Sequence, residues 1–314
     1  MRLDPAIYEQ ILALAAAPET QAQTIAYLAR HLGAFLKKGE KVLIAFPEHD
    51  EGSLGWLMEQ AVRRCGAVSV LWGPDHRWKT LLQQAFYSHA STIIAPPLIV
   101  LGLTKLKKYN GIPLYIRHVV TAGYPCLDWM IDGVIRGLDC STGGCFGLGD
   151  SGVAAGFSCG KSRGVHIRED VYGVDIVDDG GRPLPPGEVG EMVLYPKARP
   201  ELRCHMGEQA RLVTAPCPCG CKAPRLMDLA PGRDMDIDLL NLGQQLQSWT
   251  SVLDCRLSKG EYGLEMEMIV FPGEKLPKLP SAAKQIIRPW DPKHDEPFGY
   301  MPLTKKVEFS RESN

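Results

Sequence analysis

Apolar positions in the first half of the chain fall into short blocks whose period alternates. Ile25, Leu28, Leu32 and Phe35 recur at helical spacing, in a helix expected to stop at Gly39. KVLIAF (41–46) is a brief continuous apolar run of the kind a buried strand needs, and SLGWLMEQAVRRCG (53–66) returns to a helical period. AVSVLW (67–72), STIIAP (91–96) and RHVVTAG (117–123) repeat the strand theme, with helical stretches near 77–88, 98–108 and 126–136. Alternation of this kind predicts an α/β core over residues 1–150, a parallel sheet flanked by helices on both faces. Ahead of it, Asp4-Pro5 places an acidic cap and a first-turn proline where a helix should begin.

The pattern changes after residue 150. VYGVDIVD, the turn-rich DDGGRPLPPGE and VGEMVLYP read as strands of a β-rich subdomain over 151–235. Residues 236–314 read as a small α+β, lid-like C-terminal domain. QQLQSWTSVL is helical in pattern, CRLSKGEYGLEMEMIVF is two strands around a turn, and the tail from Pro272 is expected to be mostly irregular.

Charge and composition exclude several classes. The 35 Lys and Arg nearly cancel 36 Asp and Glu, which argues against a nucleic-acid footprint. MRLDPAIYEQ lacks the regions of a signal peptide, and the apolar run Ile93–Leu103 is too short and too Pro-broken to cross a membrane. A cytoplasmic location is expected, so the ten cysteines are expected as thiols or metal ligands rather than disulfides.

FGLGDSG (146–152) carries Gly147, Gly149 and Gly152 at the G-x-G-x-x-G spacing of a dinucleotide turn. Such a turn needs a long helix after it, to aim its N-terminus at the pyrophosphate. The following VAAGFSCGKSRGVH has no apolar helical face, which disfavours that reading. The glycines then either serve a tight loop or belong to other chemistry.

FGLGD, then GVHIREDVYGVDIVDDGGRPLPPGEVGEMVLYP, then APCPCGCKAPRLMDL and GRDMDI occur in one order. The series resembles the phenylacetate–CoA ligase branch of the adenylate-forming ligases, with AGYP (122–125) similar to a further turn of that branch. The resemblance runs from about residue 20 to the end and is densest over 117–238. It implies activation of a carboxylate by ATP to an acyl-adenylate, with Mg²⁺, and transfer to a thiol, usually coenzyme A.

Carried over by position, the resemblance implies an adenine nucleotide site lined by Gly123, Tyr124, Phe146 and Gly147. Phe146 would lie on adenine, Asp150 would stand where the family's Glu helps hold Mg²⁺, and Gly149 replaces a hydroxyl residue. Glu208 takes the place of the Asp that accepts the ribose hydroxyls, and Arg233, with Asp234 and Asp236, matches the hinge. PLTKK (302–306) echoes the catalytic-lysine segment, so Lys305 or Lys306 is either that lysine or part of a solvated tail. No Ser/Thr/Gly-rich phosphate loop precedes residue 40, and C-S-T-G-G (140–144) has the composition but the wrong place. The expectation is a shortened ligase that keeps part of an AMP or acyl-adenylate pocket and is impaired in ATP-dependent activation. An active aryl or acyl acid–CoA ligase, alone or completed by a partner chain, is the alternative, and a homodimer is open.

Cys159 and His166 flank one Gly-bearing loop, and Cys217 and Cys219 sit in CPCGC. Two such pairs meet the tetrahedral sulfur and nitrogen demand of a structural zinc, with Cys221 able to replace Cys219. Free thiols are the competing reading.

Overall fold

The computed structural model describes residues 4–123, 127–148, 151–231, 237–260, 263–276, 278–279 and 284–298. Two helices open the chain: α1 (Pro5–Ala15) and α2 (Pro18–Leu32). Asp4 caps α1 as its composition suggests, its Oδ1 accepting from the Ala6 N–H at 2.9 Å. Helix α2 closes at Gly33, earlier than Gly39, and short turns carry the chain on.

Strands and helices then alternate: β1 (Lys41–Ile44), α3 (Leu54–Arg64), β2 (Val68–Leu71), α4 (Trp78–Tyr87), β3 (Thr92–Ala95), α5 (Pro97–Asn110), β4 (His118–Thr121), α6 (Asp128–Leu138) and β5 (Ser141–Gly147). The five strands are parallel, in the order β2-β1-β3-β4-β5. Successive side chains face opposite sides. Leu43, Ile93 and Val119 enter a core with α4, α5 and α6, while Val42, Ile44, Ile94 and Val120 enter another with α2 and α3. Both faces are covered by helices.

Strand β5 also pairs antiparallel with β6 (Ala154–Phe157), so the sheet continues past residue 150. It runs through β7 (Val165–Ile167), β11 (Arg225–Pro231), β10 (Cys204–Val213) and β9 (Val189–Pro196) to β8 (Tyr172–Val177). Eleven strands result, and α1 covers the antiparallel half through Ile11 and Ala15.

A second sheet of three strands, β12 (Val252–Gly260), β13 (Gly263–Val270) and β14 (Lys284–Pro289), follows α7 (Ile237–Ser248). The helix lies a few residues earlier than QQLQSWTSVL suggests, because Val252 and Leu253 begin β12. Strand β14 corrects the expectation of an irregular tail. It is an edge strand, exposed at five of six positions, and so carries no alternating apolar signature.

Candidate functional site

The carboxyl ends of the parallel strands share one rim, where open α/β sheets bind ligands. Order reverses between β1 and β3, and the loop after β1 touches the turn between β5 and β6 there. A Cβ on Gly152 would stand 2.2 Å from the Gly52 carbonyl oxygen, and Gly152 has φ +77°. A Cβ on Gly147 would stand 1.6 Å from the Val153 oxygen. These two glycines let backbones meet. Among the described residues no helix follows β5, and β6 pairs antiparallel with it, so the stretch is not a dinucleotide turn.

Gly123, buried with φ +89°, ends β4 at the same rim. Phe146 is 9% exposed and packs in the third core beside Leu148 and Val153. The Ser141–Gly144 stretch lies in β5, paired with β4, and so is a strand rather than a phosphate loop. Tyr124, Asp150, Arg233, Lys305 and Lys306 lie outside the described residues, as do Gly149, Asp234 and Asp236.

Glu208 sits in an irregular part of β10. Register shifts between His205 and Gln209 and again between Gln209 and Arg211, and Gly207 has φ +70°. Opposite Glu208 is Pro231, the last described residue before the GRDMDI segment. Burial pushes the Glu208 carboxyl up to about 7, so both protonation states are populated at neutral pH.

The four cysteine and histidine candidates converge. The ligand atoms of Cys159, His166, Cys217 and Cys219 all lie within 4.8 Å of one another. Cys159 and Cys217 sulfurs are 3.6 Å apart, and Cys219 Sγ is 3.3 Å from His166 Nε2. Their elements explain this. His166 is on β7, in register with Arg225 of β11, and the other two cysteines lie in the β10–β11 connection. The His166 Nδ1–H donates to the Ala223 carbonyl at 2.9 Å, which turns Nε2 toward the sulfurs.

Backbone and hydroxyl donors surround the thiols. The Ser162 hydroxyl lies 3.0 Å from Cys217 Sγ and, with the Cys219 N–H, holds the Cys217 thiol down to about 5. Burial works against Cys159, but the Lys161 and Ser162 N–H groups leave it below the usual range. The Cys221 N–H donates to Cys219 Sγ, yet burial and the adjoining Cys217 and Cys159 push Cys219 up to about 11. Adjacent thiolates repel, and a cation among them would remove that conflict. The donor set suits zinc, with no open fourth position. Cys221 is exposed and outside the set. Sequence reasoning missed Ser162 and Arg225, whose Nη1 donates to Ser162 Oγ at 2.7 Å, because supporting polar groups carry no spacing signature.

No protein-family model matches the chain, and no curated protein sequence matches it. Solved structures match in fold. The chain is similar to 2-hydroxyisobutyryl-CoA ligase in the postadenylation state in complex with R3-HIB-AMP, with TM-score 0.63 and 14% identity, over 79% of this chain and 58% of that one. The fold is that of the adenylate-forming acid–CoA ligases. It is similar also to the anthranilate CoA ligase AuaEII in complex with anthranoyl-AMP, with TM-score 0.54 and 13% identity over 90% of this chain and 60% of that one. A benzoate CoA ligase from Burkholderia xenovorans LB400 gives TM-score 0.53 and 12% identity over 85% and 61%. The chain thus spans less than two thirds of the length of these enzymes. Among the described residues, no helix is long and apolar enough to cross a membrane.

Proposed function

We propose that this chain is a phenylacetate–CoA ligase-like protein that binds AMP or an acyl-adenylate and is weak in ATP-dependent carboxylate activation. The observation that carries this reading is its fold likeness to the 2-hydroxyisobutyryl-CoA ligase–adenylate complex over 79% of the chain. Gly123, Phe146 and Gly147, at the strand rim, would form the adenine shelf, with Tyr124 assigned to it by sequence position. Glu208 would accept from the ribose hydroxyls, Arg233 would serve as the family's hinge arginine, and Asp150 would hold Mg²⁺ with ATP. Lys305 or Lys306 is the lysine that meets the reacting carboxylate and phosphate.

Two features support weak catalysis. A Glu208 carboxyl pushed up to about 7 by burial is only partly ionised at neutral pH, which weakens it as an acceptor for two hydroxyls. The Ser-Thr-Gly-Gly stretch is a strand paired with β4, its Gly144 N–H donating to Ser158 Oγ, rather than a phosphate loop. Each lost donor to a developing oxyanion costs about 10²–10³ in rate. Zinc at Cys159, His166, Cys217 and Cys219 is structural, clamping β6–β7 to the β10–β11 hairpin; its chemistry is charge and geometry, with no catalytic step.

ATP–pyrophosphate exchange with a panel of aryl and acyl acids, read beside thermal shifts with AMP, ATP and coenzyme A, tests the reading. AMP should stabilise the protein at least as well as ATP, with exchange near background. Exchange well above background would replace it with the active-ligase reading, alone or with a partner chain. No stabilisation by any adenine nucleotide would remove the nucleotide site altogether.

A further inference from the structure

The sheet β12–β14 has two apolar faces. One meets α7 through Leu246, Val252, Cys255, Met266 and Met268. Strands β13 and β14 are parallel, and a parallel pair is ordinarily joined by a crossover helix laid over the free face. Among the described residues of the connection 271–283 there is no helix. That face lies instead against the α/β core. Leu253, Ile269, Phe271 and Trp290 are 1%, 0%, 1% and 9% exposed, in one cluster with Trp78, Leu103 and Leu106.

Polar contacts reinforce the junction. Lys105 of α5 is buried, and its Nζ donates to Gln247 Oε1 at 2.9 Å and to the Val252 carbonyl at 2.8 Å. Gln247 Nε2 donates to Asp254 Oδ1 at 3.2 Å, and Asp254 also accepts from the Cys255 and Phe298 N–H groups, both at 2.9 Å. The Tyr109 ring stacks on Phe271 at 4.2 Å, and the Trp78 N–H donates to the Asp295 carbonyl at 3.1 Å. Domains that move past one another usually meet through small, polar surfaces, and large apolar junctions stay shut. Parting here would bring Leu253, Ile269, Phe271 and Trp290 to water together. It would also strip Lys105 of both acceptors.

We infer that α7 and the β12–β14 sheet form a fixed wall of the core, pinned through Lys105, rather than a lid that swings. On the nucleotide-binding reading above, the wall keeps one position whether AMP or coenzyme A is present. Hydrogen exchange by mass spectrometry on the full chain tests this, with and without AMP and coenzyme A. Amides of β12 and α5 should exchange within about threefold of each other, through one opening, and any slowing that a bound ligand brings should reach both segments alike. Lys105→Met leaves the Gln247 and Val252 oxygens unpaired and should speed both segments about tenfold or more. Tyr109→Ala, at a half-exposed position, reads the same coupling if Lys105→Met does not fold. A β12 that exchanges about tenfold faster than α5 in the wild type, or an α5 that loses protection when coenzyme A is added, overturns the inference. Absence of any AMP effect at the β5–β6 turn would instead count against the nucleotide reading and leave the wall standing.

Discussion

Cys217→Ser is the sharpest perturbation of the proposed metal centre. With zinc–sulfur bonds of about 2.3 Å, two sulfurs in a tetrahedron stand about 3.8 Å apart, and a sulfur and a nitrogen slightly closer. The Cys159–Cys217 distance of 3.6 Å and the Cys219–His166 distance of 3.3 Å already meet that demand. The widest separation in the set, 4.8 Å, has to close by only about 1 Å. Serine keeps the neighbours but supplies a hydroxyl in place of a thiolate, and metal binding should collapse. With free zinc at about 100 times the dissociation constant, the lost stabilisation is about 2.7 kcal/mol. For a chain of this size that is about 4 °C in melting temperature. Elemental mass spectrometry should find about one zinc per chain in the wild type and almost none in the variant. Cys221→Ser, at an exposed position outside the set, should keep the metal. A wild-type protein that carries no metal and melts unchanged in chelator would refute the centre, and loss of metal on Cys221→Ser would refute this ligand set.

Three further outcomes follow from buried groups and close contacts. Burial raises Glu208 from 4.5 to about 7, so the folded chain holds its proton more tightly and stability falls as pH rises through that window. Glu208→Gln should therefore add up to about 3 kcal/mol at pH 8 and almost nothing at pH 4, by urea titration at both. His31 is lowered from 6.5 to about 4 by burial first and then by Arg30 and His166, so stability is lost as pH falls from 6.5 to 4. His31→Phe preserves the stack on Phe157 at 5.0 Å and should remove about 3 kcal/mol of that acid loss; an unchanged slope would contradict it. Gly147→Ala forces a methyl to within 1.6 Å of the Val153 oxygen, so a cost of about 1–3 kcal/mol or more should appear in the melting temperature even without nucleotide.

The parallel half of the fold was legible because its inner strands β1, β3 and β4 are buried on both faces. Val42–Ile44 and Ile93–Ile94 are continuous apolar runs, and the intervening helices show a separate period. Strand β14 was illegible for the opposite reason: an exposed edge strand pairs through its backbone and leaves its side chains free to be polar. Continuity of the sheet past residue 150 was hidden as well, since the β5–β6 pairing depends on glycines tolerating backbone contact, which looks in sequence like a loop. Of the site, the Cys and His set showed in spacing. The Ser162 and Ala223 partners did not, because a single hydroxyl or carbonyl in a loop has no pattern to read.

The Cys and His cluster and Glu208 belong to one mechanical unit. Cysteines 217 and 219 occupy the turn that joins β10 to β11, and Cys159 and His166 hold that turn to β6–β7. From this fixed end the hairpin pairs Val213 with Arg225 and Leu212 with Leu226, then slips register past Arg211, and reaches Glu208 opposite Pro231. A slip of one residue in a strand sends every side chain to the other face. A clamp at the turn therefore fixes which face of the strand Glu208 occupies, nine residues before Cys217, although no ligand atom touches it. Stripping the metal should consequently shift the Glu208 titration, read by carboxylate infrared absorption with Glu208→Gln as the blank. A Glu208 pKa indifferent to chelator would mean that β10 holds its register through its own pairing alone.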